Sequence, residues 1–308
     1  MRASGSGAGC GNHWPLCNGV IVPTSPTTAT LIELTHRVTS AFAGFLVLLL
    51  VFFARRAFEP GHLVRKLTWA ALFLMITEGL IGGGLVLFEM VATNESLARG
   101  YWMSAHLINT FFLVAAQTLV VWASDRDARP SLAGRERAAW LTGTALFALL
   151  VTGISGAIAA LGDTLFPAKS FAEGLAADTA AGAHLFVELR VLHPFVAVGT
   201  AIHVLIVAST FARSADHATR VAAQRTGLLI LAQVAVGFVN LLLAAPVSLQ
   251  LVHLLLADFV WMSVVVLTAQ SLTSDRQTEA LAHQALAHAH PSAAIGDDGG
   301  AVDQTGGV

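Results

Sequence analysis

Four histidines are the residues of this 308-residue sequence best placed for chemistry, because each lies in a long apolar segment: His36, His106, His193 and His253. An ionisable side chain at membrane depth costs about 2.5–3.5 kcal/mol on insertion scales, so it is a functional candidate by default. Neutral imidazole is a common ligand of haem iron, and two histidines on facing helices can clamp one haem. A lone histidine is more often a packing residue, but four at one depth predict two haem sites.

The two halves of the chain repeat this pattern. Each contains a histidine, then an acid or amide followed four residues later by glycine, and then a second histidine. The members are His36, Glu78, Gly82 and His106 in the first half, and His193, Gln233, Gly237 and His253 in the second. Glu78 could serve a proton path or a neutral hydrogen-bonded helix contact, and the pattern does not decide between them. A tandem repeat predicts one haem site in each half.

Glu33 lies three residues before His36, which places both side chains on nearly the same face of a helix. It could act on a substrate, orient the histidine ring, or be an acid favoured at a helix N-terminus. The matching position before His193 holds Arg190, which could pair with a haem propionate, as Arg37 could in the first half. This chemical difference between the two halves indicates that one haem is the substrate and that the other assists its conversion.

Membrane-spanning helices must carry these histidines. Hydrophobic residues make up 55% of the chain and charged residues only 12%, against about 25% in soluble domains. With about 20 apolar residues needed to cross a bilayer, the sequence predicts seven spans near 31–54, 67–90, 101–123, 138–161, 184–210, 222–244 and 248–272. The net charge of −2, without a basic stripe, gives no basis for binding nucleic acid.

Arginine and lysine alternate between loops. The loops after the first, third and fifth spans are basic, whereas the intervening loops hold only Arg99 and Lys169. Cytoplasmic loops retain positive charge, so we expect a multi-pass protein of the cell membrane with its N-terminal segment outside and its C-terminus inside.

The N-terminal segment contains both cysteines of the chain, Cys10 and Cys17. Disulfides persist on the oxidising side of a membrane. We therefore predict a Cys10–Cys17 disulfide, while free thiols or a metal-binding pair are the alternatives.

The ends of the chain carry two further expectations. Aligning Trp14-Pro15 with Phe166-Pro167 leaves the first half without the counterpart of most of the 138–161 span, so we expect either a start site placed too late or a truncated relative. The low-complexity stretch 274–308 cannot bury a core, so a disordered cytoplasmic tail is expected.

Four segments in order resemble the haem A synthase family: "GSGAGCGNHWPLCNG", "IELTHR", "LRVLHP" and "HLLLAD". The resemblance covers residues 1–273. It implies an all-α integral membrane fold of two tandem four-helix bundles, of which seven spans are visible here and the first helix is missing. The implied halves are residues 1–125, for the substrate haem, and 138–273, for haem b.

The resemblance also implies an activity, namely oxidation of a methyl group of haem O to the formyl group of haem A. It implies that Glu33 is catalytic, that His36 and His106 frame the substrate haem, and that His193 and His253 hold a haem b that passes electrons. Haem O synthase would deliver the substrate, terminal oxidase assembly would use the product, and membrane lipid would surround the protein.

Two departures from the family pattern accompany this resemblance. Asn12-His13 stands where the family often has Pro-Asp, and the later external loop, 162–183, lacks the second cysteine pair of some members. The rival interpretations are a bis-histidine b-type cytochrome acting only in electron transfer, and a transporter built on a tandem repeat. An acid beside only one histidine pair favours the enzyme over the electron carrier.

Overall fold

The computed structural model describes residues 4–126 and 129–273, and helices are the regular secondary structure of these residues. The helices are α1 (Thr28–Ala57), α2 (Leu63–Leu87), α3 (Leu97–Ala123), α4 (Glu136–Leu165), α5 (Phe171–Asp178), α6 (Leu185–Arg190), α7 (Leu192–Phe211), α8 (His217–Leu242) and α9 (Val247–Ser271). The predicted tail, 274–308, lies outside the described residues.

Seven helical segments of the described chain are long and apolar enough to cross a membrane, with α6 and α7 together forming the fifth. The prediction of an all-α multi-pass membrane protein is therefore confirmed. Helices α6 and α7 are divided at Val191, where Pro194 has no N–H to give to the carbonyl of Arg190. The loop between α4 and α6 contains the short helix α5, which the apolar pattern does not predict.

The second half packs as a closed bundle because α4 lies against both α7 and α9, while α8 bridges α7 and α9. Its core is made of small and β-branched side chains of these four helices, among them Ala145, Val204, Ala223 and Val260. In the first half, α2 packs between α1 and α3 around Val47, Ala71 and Leu113.

The two halves meet where α3 packs against α4 and α9. The indole Nε1 of Trp261 donates a hydrogen bond to the carbonyl oxygen of Phe111 at 2.7 Å, and the two rings stack with centroids 4.9 Å apart. A buried indole N–H needs such a partner. This contact between Trp261 and Phe111 therefore fixes the position of α9 along the axis of α3.

Successive spans cross in alternating directions, so α1, α3, α7 and α9 run the same way. All four histidines lie in the first half of these helices. The fold consequently brings the imidazoles toward one side of the membrane.

Candidate haem sites

The first histidine pair joins α1 and α3. His36 and His106 lie close enough for their rings to interact electrostatically, and His36 is the more exposed of the two. Gly82 of α2 lies beside this pair, and a Cβ there would make an ordinary van der Waals contact of 3.5 Å with His106 Cε1. His106 Nδ1 is buried and lies 3.4 Å from Glu78 Oε1, without the geometry of a hydrogen bond.

The second pair joins α7 and α9. His193 and His253 also interact electrostatically. Ser155 Oγ lies 3.0 Å from His193 Nδ1. A Cβ on Gly156 would lie 3.0 Å from His193 Cε1, and one on Gly237 only 2.8 Å from His253 Cε1. Helix backbones therefore press against both rings of this pair.

The donor sets fit a haem held between two imidazoles. Each pair would supply two imidazole ligands to a haem iron, and within the described residues no group of three or more His, Cys, Asp or Glu side chains could hold a metal ion. Buried polar atoms without a partner cluster here: His106 Nδ1, Gln233 Oε1 and His253 Nδ1. Ser155 occupies Nδ1 of His193 and leaves its Nε2 available for iron.

Glu33 is fully buried one turn before His36. Its Oε2 accepts the backbone N–H of Cys10 at 2.9 Å, and its Oε1 accepts Arg37 Nη2 at 2.5 Å. Arg37 also donates to the carbonyl oxygens of His13 and Leu16. The acid and base thereby fasten the N-terminal loop to α1, a role that adjacency to His36 alone does not reveal.

The predicted Cys10–Cys17 disulfide is confirmed, and both cysteines are buried. Thr30 Oγ1 donates to the carbonyl oxygen of Gly9 at 2.9 Å, so the loop is bound to the first turn of α1 beside the disulfide. We call this segment, residues 9–18, the cysteine loop.

Arg190, at the position matching Glu33, is also buried and holds a loop. Its Nε donates to Asp178, its Nη1 to the carbonyl oxygen of Phe166 at 3.2 Å, and its Nη2 to that of Gly174 at 3.2 Å. Arg37 and Arg190 were expected to pair with haem propionates, and their hydrogen bonds in the structure differ from that expectation. Both guanidinium groups bind loop atoms, because the cysteine loop folds back on α1 and the α4–α6 loop folds back over the end of α6.

Three consecutive glycines of α2 each receive a different ring. A Cβ on Gly83 would lie 3.0 Å from the Trp14 ring, and one on Gly84 would lie 2.6 Å from Trp102. Together with Gly82 against His106, this row brings the cysteine loop and α3 close to α2.

Several contact residues were not singled out from the sequence. Ser155 and Gly156 touch His193 only because α4 packs on α7, and no local pattern marks them. Asn109 and Thr110, which bond Glu78, do carry a signal, since they are polar residues one turn after His106 in a charge-free span. His203 Nε2 lies 3.0 Å from Thr144 Oγ1, a contact suited to its interpretation as a packing histidine.

Known proteins resemble nearly the whole described chain. The profile of the COX15-CtaA family, described as cytochrome oxidase assembly protein, matches residues 1–265. A protoheme IX farnesyltransferase of Thermus thermophilus is 44% identical over 273 residues, which cover 88% of this chain and 45% of that protein.

Proteins named haem A synthase also match over shorter stretches. That of Alkalihalophilus pseudofirmus is 36% identical over 34% of this chain and 35% of its own length, and that of an Exiguobacterium species is 28% identical over 52% and 50%. The chain thus spans about half the length, or less, of these relatives. No solved structure matches it significantly.

Proposed function

We propose that this chain, which belongs to the COX15-CtaA family of cytochrome oxidase assembly proteins, is a haem A synthase that oxidises a methyl group of haem O to the formyl group of haem A. The observation that carries the proposal is the arrangement of four histidines in two pairs, His36 with His106 and His193 with His253, with one histidine in the first half of each of α1, α3, α7 and α9. Relatives named haem A synthase support the same activity.

The first half would bind haem O as substrate. His36 and His106 would hold its iron, and Gly82 of α2 lies beside the His106 ring. When water supplies the oxygen, converting a methyl to a formyl group (–CH3 + H2O → –CHO + 4 H+ + 4 e−) releases four electrons and four protons.

Glu33 is the candidate catalytic residue of this half. Its carboxylate lies one helical turn before His36 and would accept a proton from the substrate or stabilise positive charge that develops on it. Cys10 N–H and Arg37 fix the two carboxylate oxygens. The cysteine loop would thereby position the catalytic group.

The second half would hold haem b, bound by His193 and His253. A bound haem b supplies one-electron redox chemistry, which can carry electrons away from the substrate site. Ser155 orients His193 through Nδ1, and Gly156 and Gly237 support the two rings. The protein would in this way be an iron-binding oxidoreductase.

Its biosynthetic neighbours follow from the chemistry. The Thermus relatives are named protoheme IX farnesyltransferase, and a farnesylated haem is the substrate proposed here. A haem O synthase would deliver it, and terminal oxidase assembly would consume haem A. The distribution of Lys and Arg supports a cysteine loop outside the cell membrane and a C-terminal tail in the cytoplasm.

The test is extraction of the haems from purified protein and their identification by chromatography and mass. Haem b together with haem O or haem A supports the proposal, because a substrate or product remains in the first half. Haem b alone, with no conversion of added haem O, would instead favour the electron-transfer cytochrome. Purification without haem would refute both.

A further inference from the structure

A cluster of polar side chains lies inside the membrane between α2 and α3, beside the first histidine pair. Asn109 Nδ2 donates to Glu78 Oε2 at 2.7 Å, and Thr110 Oγ1 donates to Glu78 Oε1. Thr77 Oγ1 donates to Asn109 Oδ1 at 2.7 Å, and Asn109 also binds the carbonyl oxygen of Leu74. Four interlocked contacts therefore hold the Glu78 carboxylate in one place.

This carboxylate faces the back of a proposed haem ligand. Glu78 Oε1 lies 3.4 Å from His106 Nδ1, and that buried nitrogen has no hydrogen-bond partner in the described structure. When Nε2 of an imidazole binds iron, Nδ1 carries the hydrogen and needs an acceptor. A small rotation of the His106 ring or of the Glu78 carboxylate would bring Nδ1 and Oε1 into hydrogen-bond geometry.

The second half lacks the equivalent arrangement. Gln233 takes the place of Glu78, and its Nε2 lies 3.4 Å from Nε2 of His253, the opposite ring nitrogen. Leu256 and Ala257 stand where Asn109 and Thr110 follow His106. The buried Nδ1 of His253 has no hydrogen-bond partner among the described residues, and no carboxylate stands at the position equivalent to Glu78. The two halves therefore differ in what supports their second histidine.

We propose that Glu78 is a positioning residue that accepts the Nδ1 hydrogen of His106 and so directs the Nε2 of this ring toward the haem iron. The same hydrogen bond makes the imidazole a stronger electron donor to the iron than it would be without the carboxylate. The inference rests on the proposed haem site of the first half. A carboxylate behind a ligating histidine raises ligand basicity. Stronger donation, together with a nearby negative charge, stabilises the ferric over the ferrous state.

The experiment compares full-chain variants purified in detergent with their bound haems. We expect Glu78→Gln to retain haem in the first site, to raise its midpoint potential and to shift its low-spin ferric EPR signal. Thr110→Val removes a donor that competes for Glu78 Oε1, so this oxygen becomes a better acceptor for the His106 Nδ1 hydrogen, and we expect a smaller shift of the midpoint potential in the opposite direction, to lower values. Thr118→Val is the matched control, because its hydroxyl bonds only the carbonyl oxygen of Val114 on the same helix.

A merely structural Glu78 would change the yield of folded protein but not the potential or EPR signal of the haem that remains. Unchanged spectra and potentials in both Glu78→Gln and Thr110→Val would overturn the inference while leaving the proposed function intact. Absence of haem from the first site of the unmodified protein would overturn both. If Glu78→Gln does not fold, the Thr110→Val comparison decides.

Discussion

The cysteine loop and the α4–α6 loop are held by opposite charges at the same position of the repeat. In the first half, Glu33 and its partner Arg37 hold the cysteine loop, which a disulfide closes. In the second half, Arg190 holds the α4–α6 loop through Asp178 and backbone carbonyls. An acid near His36 is therefore compatible with loop fastening as well as catalysis, and experiments must separate the two.

The histidine pairs differ in their surroundings as well. His193 lies under Ser155 and Gly156 of α4, and His253 lies against Gly237 of α8. His36 is exposed on α1. The second site is thus the more rigidly enclosed, which suits permanent retention of a haem, whereas a substrate must enter and leave the first.

The largest expected effect is on haem retention in the second half. His193→Ala or His253→Ala should remove the b-type absorption signal of this site, because a haem clamped between two imidazoles loses one iron ligand. His203→Ala, which alters a histidine on the same helix α7 as His193, is the control and should keep both haems. Full haem b in the two ligand variants would break the assignment.

Next in size is the effect of neutralising Glu33. Glu33→Gln should retain both haems while haem A formation falls on the order of a hundredfold or more, as for loss of a general base. The measurement is conversion of haem O by purified protein.

Arg37→Gln separates catalysis from loop fastening, since it removes the same ion pair but leaves the carboxylate. A much smaller loss in Arg37→Gln supports a chemical role for Glu33. Equal losses in the two variants would indicate that both act only by fastening the cysteine loop.

The glycines beside the two histidine pairs, Gly237 and Gly82, differ in how closely they approach the histidine rings. Gly237→Ala places a Cβ 2.8 Å from His253 Cε1, so we expect haem b affinity to fall on the order of tenfold, as when support of a metal ligand is disturbed. Gly82→Ala makes only an ordinary 3.5 Å contact with His106 and should leave the first site nearly unchanged. Haem titration of the two variants tests this.

Gly227→Ala is the matched control for α8, because its Cβ meets nothing within 4 Å. It should stabilise the helix by about 0.5–1 kcal/mol without affecting haem binding. A similar loss of affinity in Gly227→Ala and Gly237→Ala would show that the effect does not arise at His253.

The smallest effect concerns the helix caps at the other membrane face. The N-cap of α2 is His62, whose Nδ1 accepts a hydrogen bond from the N–H of Val64. The N-cap of α8 is Asp216, whose carboxylate accepts hydrogen bonds from the N–H groups of Ala218 and Thr219. Burial raises the pKa of Asp216, but these hydrogen bonds outweigh it and hold the pKa below its ordinary 3.8.

This carboxylate therefore stabilises the fold above pH about 4, and its contribution disappears as the pH falls through the lowered pKa. Asp216→Ala should cost about 1 kcal/mol at neutral pH and progressively less under acid conditions. Thermal unfolding at several pH values measures it, and a penalty that persists below the lowered pKa would contradict the charge-based cap.

The disposition of the histidines could be read from the sequence because membrane folding depends on local composition. Charge-free runs of about 20 residues must form helices in lipid, where every backbone group needs an internal partner. The repeat then places one histidine near the start of each of four parallel helices. The prediction of a Cys10–Cys17 disulfide likewise needed only the shared segment of the two cysteines.

Tertiary structure alone decided what surrounds those histidines. Ser155 and Gly156 reach His193 because α4 packs across α7, and Glu33 turns to Cys10 because the cysteine loop folds back on α1. Helical periodicity fixes the direction of a side chain along its own helix. Its partner depends on how distant helices and loops pack, and residues far apart in the sequence carry no local pattern that records this packing.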